Sequence, residues 1–411
     1  MCLQMPINLE ITKQFFYIFD NECVTPTPRL HFARYLRHVG QIIQSVILFF
    51  VLSFLSSCHQ NAPHLIKIDE ISIERNIDEM YKGYFENDSM NCQITFNTKE
   101  RKLYLKSIYD FHNEMTISLD HALTDIDGRT LYTLNVFVQT PDSVFLSFND
   151  LLILINRQGS ILNSWNLNEY HDFEEKNLSL SFVTPITFQN GKLNLALTAK
   201  LKVNTPESTK YYFSEMKPLA VLDIVQDSFR ILPIPFPQVY QKGNIFIDFV
   251  PHFINFQGKI LVSFSISDSL YIYNYDTQGI DKIISLRSRY YKTPDPYPFD
   301  SIQNFAFARR YSFNEMRYKN VYYDESSDCL LRMVSLPTEY AVPGVTSVKK
   351  MNNWSLIIYN LTTNQIIDEL IFNSDDYQLY LITTKRGIMI WKTNPNIMDS
   401  LEVEIFKIQK N

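Results

Sequence analysis

A chain of 411 residues, 45% hydrophobic and 20% charged, can bury a large core, which excludes a disordered polypeptide. Its net charge of -6 mixes both signs without long blocks, which excludes the electrostatic footprint of a nucleic-acid binder. Aromatics at 14%, with many Ile, Val and Thr, favour strands, because branched and ringed side chains fit a pleated half-buried surface.

The first informative element is the apolar run IIQSVILFFVLSFL at residues 42–55. It is short for a membrane span, which takes about 20 residues, and has the length of a signal-peptide core. Arg34 and Arg37 supply a positive flank, and the run closes in Leu55-Ser56-Ser57-Cys58, which matches the bacterial lipobox. Cys58 is then the expected site of lipid attachment and the first residue after cleavage. Residues 1–35 do not read as a signal n-region, and no methionine lies between Met5 and Met80, so a translation start near Leu36 or Val39 is expected. The expected organisation is a leader and lipoprotein signal peptide over 1–57, a tether over 58–75 and a folded body over 76–411. Cys92 and Cys329 remain for that body, either as a disulfide or as two buried thiols.

SIERNIDEMYKGY, from Ser72, reads as one or two helical turns before the body begins. From about residue 95 strands follow one another. In PITFQNGKLNLALT, Asn190-Gly191 signals a two-residue hairpin turn, and Leu193, Leu195 and Leu197 alternate with Asn194, Ala196 and Thr198 as a strand with one buried face. SVFLSFNDLLILINRQGSILNSWNL from Ser143 and KILVSFSISDSLYIYNYDTQGIDKIISL from Lys259 share one grammar: strand, polar link, strand, glycine-containing turn, strand. Gly159 and Gly279 occupy the same slot, and weaker copies start at Lys217 and Trp354. Repeats of about 45–50 residues made of short antiparallel strands predict an all-β fold, a β-propeller of six or seven four-stranded blades.

The lipobox, the repeats and RYKNVYYDESSDCLLRMVSLP, with Tyr322, Tyr323, Asp324 and Arg332, together resemble uncharacterised Bacteroidota lipoproteins of the domain of unknown function 4221 type, a six-bladed TolB-like propeller group. The resemblance implies location and fold, and carries over no catalytic residue.

No GxSxG elbow, HExxH pair, phosphate-cradling glycine loop or Cys/His metal spacing is present, so neither cofactor nor metal is expected. Asp125-x-Asp127-Gly128 is a fragment of a calcium loop without its remaining ligands and is expected to be a polar turn. YHDFEEKN, with His171, Asp172, Glu174 and Glu175, reads as a solvated loop. His252 precedes a strand where propellers direct residues toward the channel. Residues 287–318 are dense in rings and guanidinium groups. Arg287, Arg289, Tyr290, Tyr291, Tyr297, Arg309, Arg310 and Tyr311 are the candidate binding residues there, because such side chains stack on sugars or peptides and pair with carboxylates.

The expected function is a lipid-anchored, non-catalytic envelope propeller that binds a protein or glycan. The lack of an acidic run after Cys58 points to the periplasmic face of the outer membrane rather than the cell surface. The alternatives are a polysaccharide hydrolase or lyase with carboxylates at the channel mouth, and a scaffold subunit of an envelope complex.

Overall fold

A computed structural model describes residues 65–74, 78–87, 90–109, 114–124, 126–200, 204–246, 248–302, 304–337, 352–393 and 400–409. The apolar run, the lipobox and Cys58 lie outside the described residues. Among the described residues, twenty-five strands form six antiparallel sheets, each one blade. The chain opens with β1 (Leu65–Glu74), then builds blade one from β2 (Glu79–Glu86), β3 (Asn91–Asn97), β4 (Lys102–Ser107) and β5 (Glu114–Ser118). Blade two is β6 (Asn135–Thr140), β7 (Ser143–Phe148), β8 (Leu151–Ile155) and β9 (Ile161–Asn166). Blade three has a split inner strand, β10 (Leu178–Leu180) and β11 (Thr187–Gln189), both paired with β12 (Lys192–Ala199), then β13 (Leu219–Asp223) and β14 (Ser228–Ile231). Blade four is β15 (His252–Phe256), β16 (Lys259–Ser263), β17 (Ser269–Asn274) and β18 (Gly279–Ser285). Blade five is β19 (Arg317–Asp324), β20 (Cys329–Ser335), β21 (Trp354–Asn360) and β22 (Gln365–Phe372). Blade six runs β23 (Tyr377–Thr384), β24 (Gly387–Lys392), β25 (Ser400–Ile408), and its outer strand is β1.

The pairing of β1 with β25, from Leu65↔Ile408 to Glu74↔Ser400, joins the two ends of the propeller and closes the ring. It corrects two expectations. Within the stretch expected to be helical, Ser72–Glu74 end β1 and Glu79–Tyr84 lie in β2, and the second half of the expected tether is a strand of the sixth blade. The blade count is six.

Buried apolar side chains form five clusters that fall between consecutive blades, such as the one joining Leu103 and Leu105 of blade one to Val144 and Leu146 of blade two. This is why middle strands lose their alternation. In β12, Asn194 and Ala196 are as buried as Leu193 and Leu195, because blades cover both faces of the strand, so the one-faced reading of 193–198 does not hold. Asn194 is satisfied: its Nδ2 donates to Thr187 Oγ1 and Asn255 Oδ1 at 3.0 Å each, and its Oδ1 accepts from Tyr275 at 2.6 Å. The Asn190-Gly191 turn has positive φ at both residues, 51° and 75°, as a two-residue hairpin requires.

The recurring turn joins the third and fourth strands of a blade, and the residue before the fourth strand, or one earlier, is left-handed: Gly159, Asp227, Gln278 and Asn364. Gly159 and Gly279, equivalent in sequence, therefore differ. A Cβ on Gly159, at φ +77°, would lie 1.9 Å from the Ser118 carbonyl oxygen, whereas one on Gly279 would meet nothing closer than 3.8 Å. Gly159→Ala is expected to cost about 2–3 kcal/mol through backbone strain and displacement of blade one. Gly279→Ala should change the urea midpoint little, and equal midpoints for the two variants would contradict this placement.

Cys92 and Cys329 are buried in blades one and five, and burial pushes the Cys92 thiol up to about 11. Among the described residues no helix is long and apolar enough to cross a membrane.

Candidate functional site at the channel mouth

Strand parity sorts the connections. Links from an outer strand to the next inner strand, and from a second to a third strand, fall on one face of the ring; the remaining hairpins fall on the other. The helices α1 (Gly128–Tyr132), α2 (His171–Glu175), α3 (Pro206–Glu215) and α4 (Phe305–Asn314) all lie in connections of the first kind. So do the segments 232–251 and 286–316. One face carries the elaborated loops, and each inner strand begins there.

Two inner strands open this face with charge. Arg317 and Lys319 start β19, His252 starts β15, and Asp248 lies just before it with φ +62°, a left-handed backbone uncommon outside glycine. The Asp248 carboxylate accepts from Lys319 Nζ at 2.8 Å and from Arg317 Nη1. Arg317 Nη2 also donates to the Ser312 carbonyl at 2.5 Å. The register of β19 against β20 slips between Tyr318 and Val321, and such a bulge re-aims side chains, here Lys319 and Asn320.

The electrostatics follow from burial. Desolvation acts to raise the Asp248 pKa, but Lys319 and Arg317 outweigh it and hold the carboxyl below its usual range. Lys319 is lowered by burial and then by Arg317, against the pull of Asp248. Burial, with Lys319 next, pushes the His252 imidazole down to about 4, so it is neutral at physiological pH. Behind this cluster Arg332 is fully buried. Its guanidinium donates to the carbonyls of Asp268, Leu286, Phe264 and Ser267 and to Ser263 Oγ, at 2.7–3.3 Å, and lies 3.7 Å from the Tyr318 ring centre. It ties blade five to blade four and is a structural residue.

Tyrosines also stand on the inner strands. Tyr81 of β2 and Tyr380 of β23 meet edge to face at 5.1 Å with their hydroxyls hydrogen-bonded, and Tyr322 of β19 accepts from Asn320 Nδ2 at 3.0 Å. Burial raises all three phenols, which stay neutral. A cleft of about 510 Å³ between blades two and three opens on the same face and is lined by Asn135, Asn149, Ser179, Ser181, Phe182 and Thr198, among others.

Of the residues expected from sequence, His252 sits at this mouth. The others do not gather there as free groups. Tyr297 and Tyr311 are buried within the 287–318 segment, ring centres 5.1 Å apart, and Tyr297 also packs on Phe307 at 5.3 Å. They are the segment's own small core and not a recognition surface, because a connection this long must bury rings to hold its shape. Arg287 covers Tyr291 at 4.4 Å, and Tyr291 stacks on Tyr318. Arg289 covers Tyr290 at 5.7 Å and is held by Asp368 and the Glu369 carbonyl of β22. Arg309 and Arg310 are exposed on α4. Asp127 accepts from the Thr130 amide at 2.8 Å at the start of α1, and His171 forms an exposed pair with Glu175 at 3.6 Å; Asp125 lies outside the described residues. Among the described residues no three His, Cys, Asp or Glu are grouped to hold a metal ion. Sequence reading missed Asp248, Lys319 and Arg317. Their signal was two cations at alternate positions opening a strand that follows a long connection.

The family model described as "Domain of unknown function (DUF4221)" matches residues 129–370, more than half of the chain. The chain belongs to the DUF4221 family. A solved member of that family from Bacteroides vulgatus superposes with a TM-score of 0.67 at 18% identity, covering 84% of this chain and 98% of its own, which shows the shared fold. A protein of Bacteroides fragilis (TM-score 0.47, 11% identity, 86% of this chain and 98% of that one) and a streptogramin B lyase (0.40, 9%, 82% and 98%) are too distant to carry an argument. No curated protein matches the chain. Among DUF4221 propellers, then, this one is described by its ring closure, its elaborated face and its charged channel mouth.

Proposed function

We propose that this DUF4221 propeller is a non-catalytic binding module of the bacterial cell envelope, anchored through acyl chains on Cys58, that receives a protein or glycan partner on its elaborated face. The observation that carries this reading is the channel mouth, where Arg317 and Lys319 share the Asp248 carboxylate beside a neutral His252. An ion-paired carboxylate held below its usual pKa is poorly suited to give up or take a proton near neutrality, which favours binding over a two-carboxylate hydrolase. In this reading residues 59–64 separate the anchor from β1, at most about 20 Å of extended chain, so the ring would lie close to a periplasmic membrane face.

A glycan array and affinity capture from solubilised envelopes, each run with the wild type and with Lys319→Glu, test the proposal. A ligand held by the wild type and lost on charge reversal is the expected result. Release of reducing ends from a polysaccharide by the purified protein would overturn the non-catalytic reading.

A further inference from the structure

The cleft between blades two and three, at about 510 Å³, has the size of pockets that enclose small molecules. Contacts that cross from one blade to the other hold its walls in place. Asp150, in the turn after β7, pairs with Lys200 Nζ at 2.9 Å and accepts from the Leu180 amide at 3.2 Å, and Asn135 Nδ2 donates to the Ser181 carbonyl at 3.4 Å. Asp150 and Lys200 are the ionisable side chains of the lining, and they neutralise each other. Lys82 stands outside the lining, with its Nζ on the Leu134 carbonyl at 2.7 Å.

Side-chain hydroxyl and amide groups are left over for a ligand. Ser147 is 3% exposed, and its hydroxyl, like that of Ser179 and the amide of Asn149, makes no hydrogen bond among the described residues. A buried polar group without a partner carries a desolvation cost, which a ligand that both donates and accepts removes. The backbone, by contrast, is taken. The Leu180 amide goes to Asp150, the Ser181 amide to the Ala196 carbonyl at 2.9 Å and the Val183 amide to Ser181 Oγ at 3.2 Å. No run of free amides remains there for an extended peptide to pair with as a strand. Phe182 lines the cleft and is 62% exposed, a ring open to packing. A neutralised lining, hydroxyls and amides without partners and one open ring complement a sugar, whose hydroxyls donate and accept and whose C–H face packs on an aromatic.

We infer that the cleft between blades two and three binds a neutral sugar, with Ser147, Ser179 and Asn149 meeting its hydroxyls and Phe182 packing on its C–H face. This site stands apart from the channel-mouth reading, because the two have no residue in common.

Titration calorimetry of the purified protein with cellobiose, maltose, lactose and mannobiose tests it. At least one should bind, and Phe182→Ala should weaken that sugar by about tenfold or more without moving the thermal melt, because the ring is exposed. Ser147→Ala should weaken it roughly two- to tenfold, the worth of one hydrogen bond, and Phe182→Trp should retain it. No binding of any of the four at millimolar concentration would overturn the inference and leave the channel-mouth reading untouched. Binding that survives both alanine substitutions would also overturn it, as would tighter binding of the acidic cellobiuronate than of cellobiose. Binding abolished by Lys319→Glu and kept by Phe182→Ala would move the sugar to the channel mouth and overturn the cleft as its site. Tighter binding of N-acetyl-trialanine amide than of every disaccharide would make the cleft a peptide site and overturn the sugar.

Discussion

Arg332→Met will lower the stability of the propeller by about 3–5 kcal/mol, read as a fall in the urea midpoint at unchanged slope. Methionine fills much of the space but donates nothing, so the carbonyls of Phe264, Ser267, Asp268 and Leu286 and the Ser263 hydroxyl lose the guanidinium that joins them. Buried acceptors without partners carry their full desolvation cost. The guanidinium itself is expensive to bury, since desolvation lowers its pKa to about 10, and the five acceptors and the Tyr318 ring offset that cost. Arg332→Lys will recover little, because a single ammonium cannot reach five acceptors spread over two loops. A midpoint within experimental error of the wild type for Arg332→Met would show that the loops find other donors.

A chain beginning at residue 65 will fold to a monomer, and one beginning at residue 75 will not. Leu65 and Ile73 are buried, at about 1.5–3 kcal/mol each, before the ladder from Leu65↔Ile408 to Glu74↔Ser400 is considered. Without β1, the nine-residue β25 becomes an open edge next to an apolar cluster, which invites pairing between molecules. Size-exclusion chromatography and thermal melts separate the outcomes. Two truncations that melt together as monomers would mean that the ring closes without this strand.

Sequence alone made the later strands of several blades readable, because their hydrophobic runs and polar turns repeat: 143–166 and 259–285 are the second, third and fourth strands of blades two and four, and 219–231 and 354–372 the third and fourth of blades three and five. Inner strands were harder to read. Strands β10 and β11 are three residues each and β15 is five, and the channel side carries polar groups that break the apolar pattern. The stretch from Ser72 resembles a helix because Ile73, Ile77 and Tyr81 recur at a spacing of four. Its first three residues pair with β25 at the far end of the chain, a contact no local pattern can announce, while Glu79–Tyr84 pair with the neighbouring β3. The 287–318 segment was noticed for its rings and arginines, but composition could not say whether rings face a ligand or one another. Tyr297 and Tyr311 face one another.

What the sequence determined by itself is the repeat, and with it a β-propeller, since short strands with polar turns at regular spacing have few ways to bury both faces. Tertiary structure decided the rest: the closure of the ring by β1, the burial of Arg332, and the meeting of Asp248 with Arg317 and Lys319 across roughly seventy residues. The Asp248 contacts arise where consecutive inner strands converge on a common axis, and the β1 pairing where the two ends of the propeller meet in one blade. That convergence is a property of the closed ring and not of any one blade.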